Sequence, residues 1–174
     1  RDEGSKSRLE IALLQLGNIA SARGDDRACR GYFEDLLEQL KGREDTLLYA
    51  IGQNNLGAAL IRLGVPELAQ PQLEAAKQTF HERGRPGHAA HAEAALGVAM
   101  VDLGELGSAR EQLDAAREHA GGDPELLAII DFTEARLEPK PNRKVMEEAL
   151  ETLKAGTDAA AHRMLRAAFE AEFP

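Results

Sequence analysis

Apolar residues recur along the chain with helical period in long Ala/Leu/Glu-rich stretches, and short turns carrying Gly or Pro separate them. This pattern predicts helices over 7–22, 25–41, 47–62, 66–82, 88–102 and 105–119, so the fold class is all-α. Asp25 stands at the start of the second helix, and Asp45 or Thr46 is placed to cap the third. Pro66 suits a first turn. Pro71 falls inside the same helix, where it removes a hydrogen bond, and a kink is expected there as local wear rather than a functional bend. Gly121-Gly122-Asp123-Pro124 opens a further pair of helices, 124–137 and 143–155, separated by Glu138-Pro139-Lys140-Pro141. A last helix, capped by Thr157 or Asp158, runs to about residue 171.

The stretches repeat. Leu-Gly pairs stand at Leu16-Gly17, Leu56-Gly57 and Leu96-Gly97, forty residues apart. Other positions keep the same register: a second glycine at Gly24, Gly64 and Gly104, a small residue at Cys29, Ala69 and Ala109, and a bulky apolar one at Phe33, Leu73 and Leu113. Leu36, Ala76 and Ala116 follow. Each unit reads as a helical hairpin. The first glycine marks a close helix crossing and the second a left-handed helix end. The small residue lets the second helix lie against the first, and the bulky residue fills the space between hairpins. A hairpin of this kind cannot bury its apolar face alone, so the units are expected to stack into a solenoid.

Composition narrows the function. The 174 residues carry a net charge of −9, are 43% hydrophobic and only 4% aromatic. An acidic chain lacks the clustered cations of a nucleic-acid footprint. The longest apolar run, 94–101, is eight residues, far short of the roughly 18 a membrane span requires. One cysteine, Cys29, builds neither a disulfide framework nor a thiolate cage. It occupies the small packing position and is read as inert core. His88 and His91 share a helix face, with Glu93 nearby, but no HExxH or CxxC pattern accompanies them. No metal, cofactor or phosphate loop is expected. With no convergent set of titratable residues, the chain is not expected to be an enzyme. Arg136, Lys140, Arg143 and Lys144 cluster around the fourth turn, but Glu134, Glu138, Glu147 and Glu148 interleave with them and point to a solvated loop.

The series Leu13, Leu16-Gly17, Gly24, Cys29, Phe33 and its two further copies over residues 7–120 resembles the tetratricopeptide repeat family, in its long-helix variety with a forty-residue period. Gln53 and Glu93 depart from the pattern, where the family's first core position is apolar. The resemblance implies one right-handed α-solenoid over 1–174. Its repeats are 7–45, 46–85 and 86–122, followed by a degenerate fourth at 123–156, where Thr133-Glu134 replaces Leu-Gly, and a polar-faced capping helix at 157–172.

In such solenoids the first helices line a concave groove that holds a peptide or helical segment of another protein. The groove register implied here contains Leu14, Asn18 and Ser21, then Asn54, Asn55, Ala58, Ile61 and Arg62, and finally His91, Val98, Val101 and Asp102. Asn18, Asn54 and Asn55 lead as ligand contacts, because an amide donates to and accepts from a peptide backbone at once. Arg62 and Asp102 are read as fixing register. Asn18 and Asn55 also match the two asparagines with which chaperone-binding members hold a terminal carboxylate. The basic partners of that clamp are replaced by Leu14, His91 and Ala95, so the clamp is rejected. A mixed apolar and polar groove suits an amphipathic segment instead.

The expectation is a cytoplasmic protein-interaction module. Its Arg1-Asp2-Glu3-Gly4 start, without Met, and its Ala/Arg/Gly-rich usage suggest a part of a larger bacterial regulator or scaffold. Two alternatives are self-association, through surfaces around Leu126–Phe132 and Leu165–Phe173, and a ligand- or peptide-sensing domain that gates an attached effector.

Overall fold

The computed structural model describes residues 3–174, and among these it contains nine α-helices and no strand. The chain divides into two compact units, Arg1–Arg85 and Pro86–Pro174. The first holds α1 (Glu3–Arg23), α2 (Asp26–Gln39), α3 (Leu47–Arg62) and α4 (Pro66–Glu82). The second holds α5 (Pro86–Leu103), α6 (Leu106–His119), α7 (Pro124–Leu137), α8 (Arg143–Ala155) and α9 (Ala159–Glu172). Within each unit consecutive helices pack on one another. Helix α1 begins four residues earlier than the periodicity predicts, and Arg8 Nε reaches back to the Gly4 carbonyl at 3.0 Å.

The repeat register has a physical meaning at each position. A Cβ added to Gly17 would lie 2.7 Å from Phe33 Cζ, one on Gly57 2.5 Å from Leu73 Cγ, and one on Gly97 2.6 Å from Leu113 Cδ2. Each bulky residue is thus seated on the glycine of its own hairpin, sixteen residues back. The small positions Cys29, Ala69 and Ala109 are fully buried, as are Leu36, Ala76 and Ala116. The turns repeat too. Gly24, Gly64 and Gly104 have φ of 78°, 73° and 77°. The next residue donates its N–H five positions back, Asp25 to Ala20 at 3.0 Å, Val65 to Leu60 at 3.1 Å and Glu105 to Met100 at 2.8 Å. That bond with a left-handed glycine is the Schellman closure, which satisfies carbonyls at the helix end.

Caps form where short polar side chains precede a helix. Asp25 accepts from Ala28 N, Thr46 from Tyr49 N, Asp123 from Glu125 N and Leu126 N, and Asp158 from Ala161 N. Asn142 caps α8 in the same way. Helix α4 runs from Pro66 to Glu82 with Pro71 inside it, itself exposed, as are Glu67 and Leu68 one turn earlier.

In the second unit α7, α8 and α9 close over Phe132, Met146, Leu150, Leu153, Leu165 and Phe169. Leu126 and Ile130 are buried as well. Of the two stretches expected to offer a self-association surface, 126–132 is therefore largely interior, whereas in 165–173 only Leu165 and Phe169 are buried. Helix α9 turns Arg163, Arg166 and Glu170 outward and buries Ala160, Ala161, Leu165 and Phe169. Arg143, at the start of α8, lies over the rings of Phe169 and Phe173 at 5.7 and 5.4 Å and fastens the far end of α9.

Candidate partner-binding face

Polar residues predicted to line a groove divide into those that tie helices together and those left at the surface. Arg62 belongs to the first kind. Its side chain is 9% exposed, and Nε donates to Asp26 Oδ1 at 2.6 Å. Nη2 reaches Ser21 Oγ at 3.1 Å and Cys29 Sγ at 3.7 Å. One guanidinium thus joins α3 to both helices of the preceding hairpin. Burial pushes the Cys29 thiol above its ordinary range, partly opposed by the Arg62 charge. The thiol stays protonated, and Cys29, with no exposed surface, is inert core as expected from its register.

Ile61 is 6% exposed and Val98 2%, so both are core residues with little surface to offer a partner. Their place on a first helix put them in the groove register, but the sequence alone does not show which flank of that helix a neighbour covers. Asp102 accepts from Arg136 Nη2 at 3.0 Å and joins α5 to α7 within the second unit. His91 is half exposed, with Nε2 at 3.9 Å from the carboxylate of the α7 cap, Asp123.

The asparagines behave differently. Asn55 Nδ2 donates to Asn18 Oδ1 at 3.3 Å across α3 and α1, and Asn54 Nδ2 donates to Asn55 Oδ1 at 3.3 Å. The three amides form a chain on one face of the first unit. Asn54 Oδ1, at its inner end, is buried and has no donor, an unmet demand that is unusual in a folded protein. Leu14, half-buried, and Ile11, 52% exposed, precede Asn18 at helical spacings of four and seven and extend the same face of α1 with apolar surface. Ile11, which stands two repeats before His91 in the same register, was missed in the sequence. Its signal is the 11, 14, 18 spacing.

Two charged ties also went unread. Glu10, 6% exposed, accepts from Arg43 Nη2 at 2.5 Å, and Arg83, at the equivalent position one repeat later, donates to the carbonyl of Asp45 at 2.6 Å and to its carboxylate at 3.0 Å. Glu93 is buried on α5, with Oε2 at 3.0 Å from His119 Nδ1 on α6. This explains how the second unit accommodates a carboxylate at a position expected to be apolar. Around the fourth turn, Arg136 engages Asp102, Arg143 engages Glu147 at 2.9 Å, and Lys144 lies 3.6 Å from Glu148. The basic cluster is largely neutralised by neighbours of the kind the sequence interleaves with it.

Glu125 forms a latch. Its carboxylate accepts from Thr157 N at 3.0 Å, Thr157 Oγ1 at 3.0 Å and Asp158 N at 2.7 Å, holding the start of α9 against α7. The Thr157 and Asp158 backbone bonds hold this carboxyl below the usual carboxylate range.

Among the described residues no helix is long and apolar enough to cross a membrane. Comparison of the chain with protein-family models, with curated proteins and with solved structures returns no match to any of the three.

Proposed function

We propose that the chain is a tetratricopeptide-like, right-handed solenoid module that binds a partner protein and catalyses nothing. The first unit would receive an amphipathic peptide or helical segment on the face carrying Ile11, Leu14, Asn18, Asn54 and Asn55. The reading carries a cytoplasmic setting within a larger regulator or scaffold. The repeated glycine–bulky pairs and left-handed turns support the family resemblance. The observation that carries the binding reading is the amide chain beside exposed apolar surface. Its bonds to one another are long at 3.3 Å, and one acceptor lacks a donor. Amides so placed can exchange these contacts for a peptide backbone while Ile11 and Leu14 bury the partner's apolar side chains. Arg62 and Asp102 act as structural ties in this reading, and Ile61 and Val98 as core.

The test selects binders from a displayed random-peptide library on the wild-type protein. The affinity of an enriched peptide is then measured by calorimetry for wild type and for Asn18→Ala/Asn55→Ala. The expected loss is about tenfold or more, on the order of 1.4 kcal/mol, with unchanged helicity by circular dichroism. Absence of any enriched sequence, or equal affinity for both proteins, would refute the proposal.

A further inference from the structure

Four of the large apolar side chains left exposed among the described residues stand on α1: Leu9 (46%), Ile11 (52%), Leu16 (42%) and Ile19 (47%). Ile11 belongs to the asparagine face. The other three, with exposed Ala12, run along a different side of the helix at residues 9, 12, 16 and 19. These steps of three, four and three are the a/d spacing of a coiled-coil seam. The repeat register shows what such a seam is for. Its equivalents one repeat later are Tyr49, Gly52, Leu56 and Ala59 on α3, all buried or half-buried. There α2 lies close enough that a Cβ on Gly52 would meet Leu37 Cδ2 at 2.9 Å. The same face that α3 spends on a neighbouring helix is open on α1.

We infer that this seam is covered by α1 of a second copy of the chain, in an antiparallel two-fold pair. The seam reads the same in both directions about residue 14, so a two-fold axis there sets Leu9 against the partner's Ile19 and Ala12 against the partner's Leu16. Large then meets large, and small meets large, along the whole contact. A surface that matches itself in this way closes as an isologous dimer and does not propagate. The flanks agree. Gln15 falls beside the axis, where its amide meets its own copy and both donor and acceptor are served. Arg8 comes opposite the partner's Ala22, not a second cation. Antiparallel packing also opposes the two helix dipoles. Two heptads of one helix bury less than about 1,200 Å² in total, which places the dimer among weak, transient associations. This pairing is independent of the peptide-binding face.

Sedimentation of the whole chain from micromolar to millimolar concentration tests the pairing. A monomer–dimer equilibrium is expected in wild type and in Leu68→Glu, whose altered side chain is exposed on another helix. It should be abolished in Leu16→Glu and in Ile19→Glu. Both seam residues are surface positions, and either variant alone carries the test if circular dichroism shows the other to be misfolded. Leu9→Cys and Ile19→Cys chains mixed under mild oxidation should cross-link to each other far more than either does to itself. A monomer across the whole range, a dimer that survives Leu16→Glu, or dominant cross-linking of Leu9→Cys to itself would each overturn the inference. The last would do so by showing a parallel pair.

Discussion

Replacing Arg62 with alanine separates a groove contact from a structural tie, and its effect can be sized from the geometry. The guanidinium donates to Asp26 at 2.6 Å, Ser21 at 3.1 Å and Cys29 at 3.7 Å, and the side chain is 9% exposed. Removing one partner of a fully buried ion pair costs about 3–5 kcal/mol because the other charge is left unmatched. Exposed pairs contribute only about 0–1 kcal/mol. The Asp26 side chain keeps 23% of its surface in water, so water takes up part of the lost interaction. The expected destabilisation is therefore on the order of 2–3 kcal/mol, below the fully buried range. Urea denaturation followed by far-ultraviolet circular dichroism measures it. A double-mutant cycle with Asp26→Ala isolates the pair, with an expected coupling on the order of 1–3 kcal/mol. A loss below about 0.5 kcal/mol, the range of ordinary surface substitutions, would refute the structural assignment. So would a coupling near zero. If that stable variant also lost affinity for a selected peptide, Arg62 would return to the binding face.

The other predictions address packing, acidity and reactivity. Gly57→Ala should destabilise the first unit by about 1–3 kcal/mol, because Leu73 must leave its seat on the glycine. The same change at Gly31, in mid-helix with nothing within 4 Å of the added Cβ, should stabilise by up to about 1 kcal/mol through helix propensity. Thermal unfolding compares the two, and equal signs would show that the hairpin crossings are looser than described. Because the Glu125 carboxyl is lowered on folding from an ordinary 4.5, its contribution is complete above that pH and disappears as pH falls through the lower folded value. Glu125→Gln should lower stability at neutral pH and flatten the acid limb below about pH 4.5; an unchanged acid limb would mean the latch carries no linkage. Cys29, buried and with its thiol pushed up, should react with a thiol reagent only as the first unit opens. Rapid labelling of the folded protein would contradict that.

The hairpins were legible because each repeating position answers a local steric demand. A glycine sixteen residues before Phe33, Leu73 or Leu113 and another at the helix end leave few other readings, and the caps at Asp25, Thr46, Asp123 and Asp158 follow from side-chain chemistry within three residues. The site was less legible because register says which helix a residue is on, not which of its flanks a neighbour covers. Ile61 and Val98 fell on covered flanks. Ile11, in the register of His91 but not named with it, fell on an open one. Long-range partners were invisible for the same reason: Glu10 meets Arg43 33 positions away, and Glu125 meets Thr157 32 positions away, at spacings that match no local pattern.

Equivalent register does not mean equivalent chemistry, and position 22 of the first repeat shows why. Its copies are Ala22, Arg62 and Asp102, one small, one cationic and one anionic. The cation reaches back to Asp26 on the preceding hairpin, and the anion accepts from Arg136 on the following one. Opposite charges thus solve the same mechanical problem, joining one hairpin of a unit to the next, with the complementary charge supplied from opposite directions along the chain. Ala22 stands exposed on the helix whose seam is open, and its side chain carries no charge. A repeat of this kind conserves shape at glycine and bulky apolar positions while leaving the polar joints to be made locally. The polar joints are therefore where sequence register most readily mistakes structure for binding. The amide chain of Asn18, Asn55 and Asn54 differs from them in a physical respect. Its bonds are neutral and long, so exchanging them for a ligand strands no charge, whereas withdrawing Arg62 or Asp102 would.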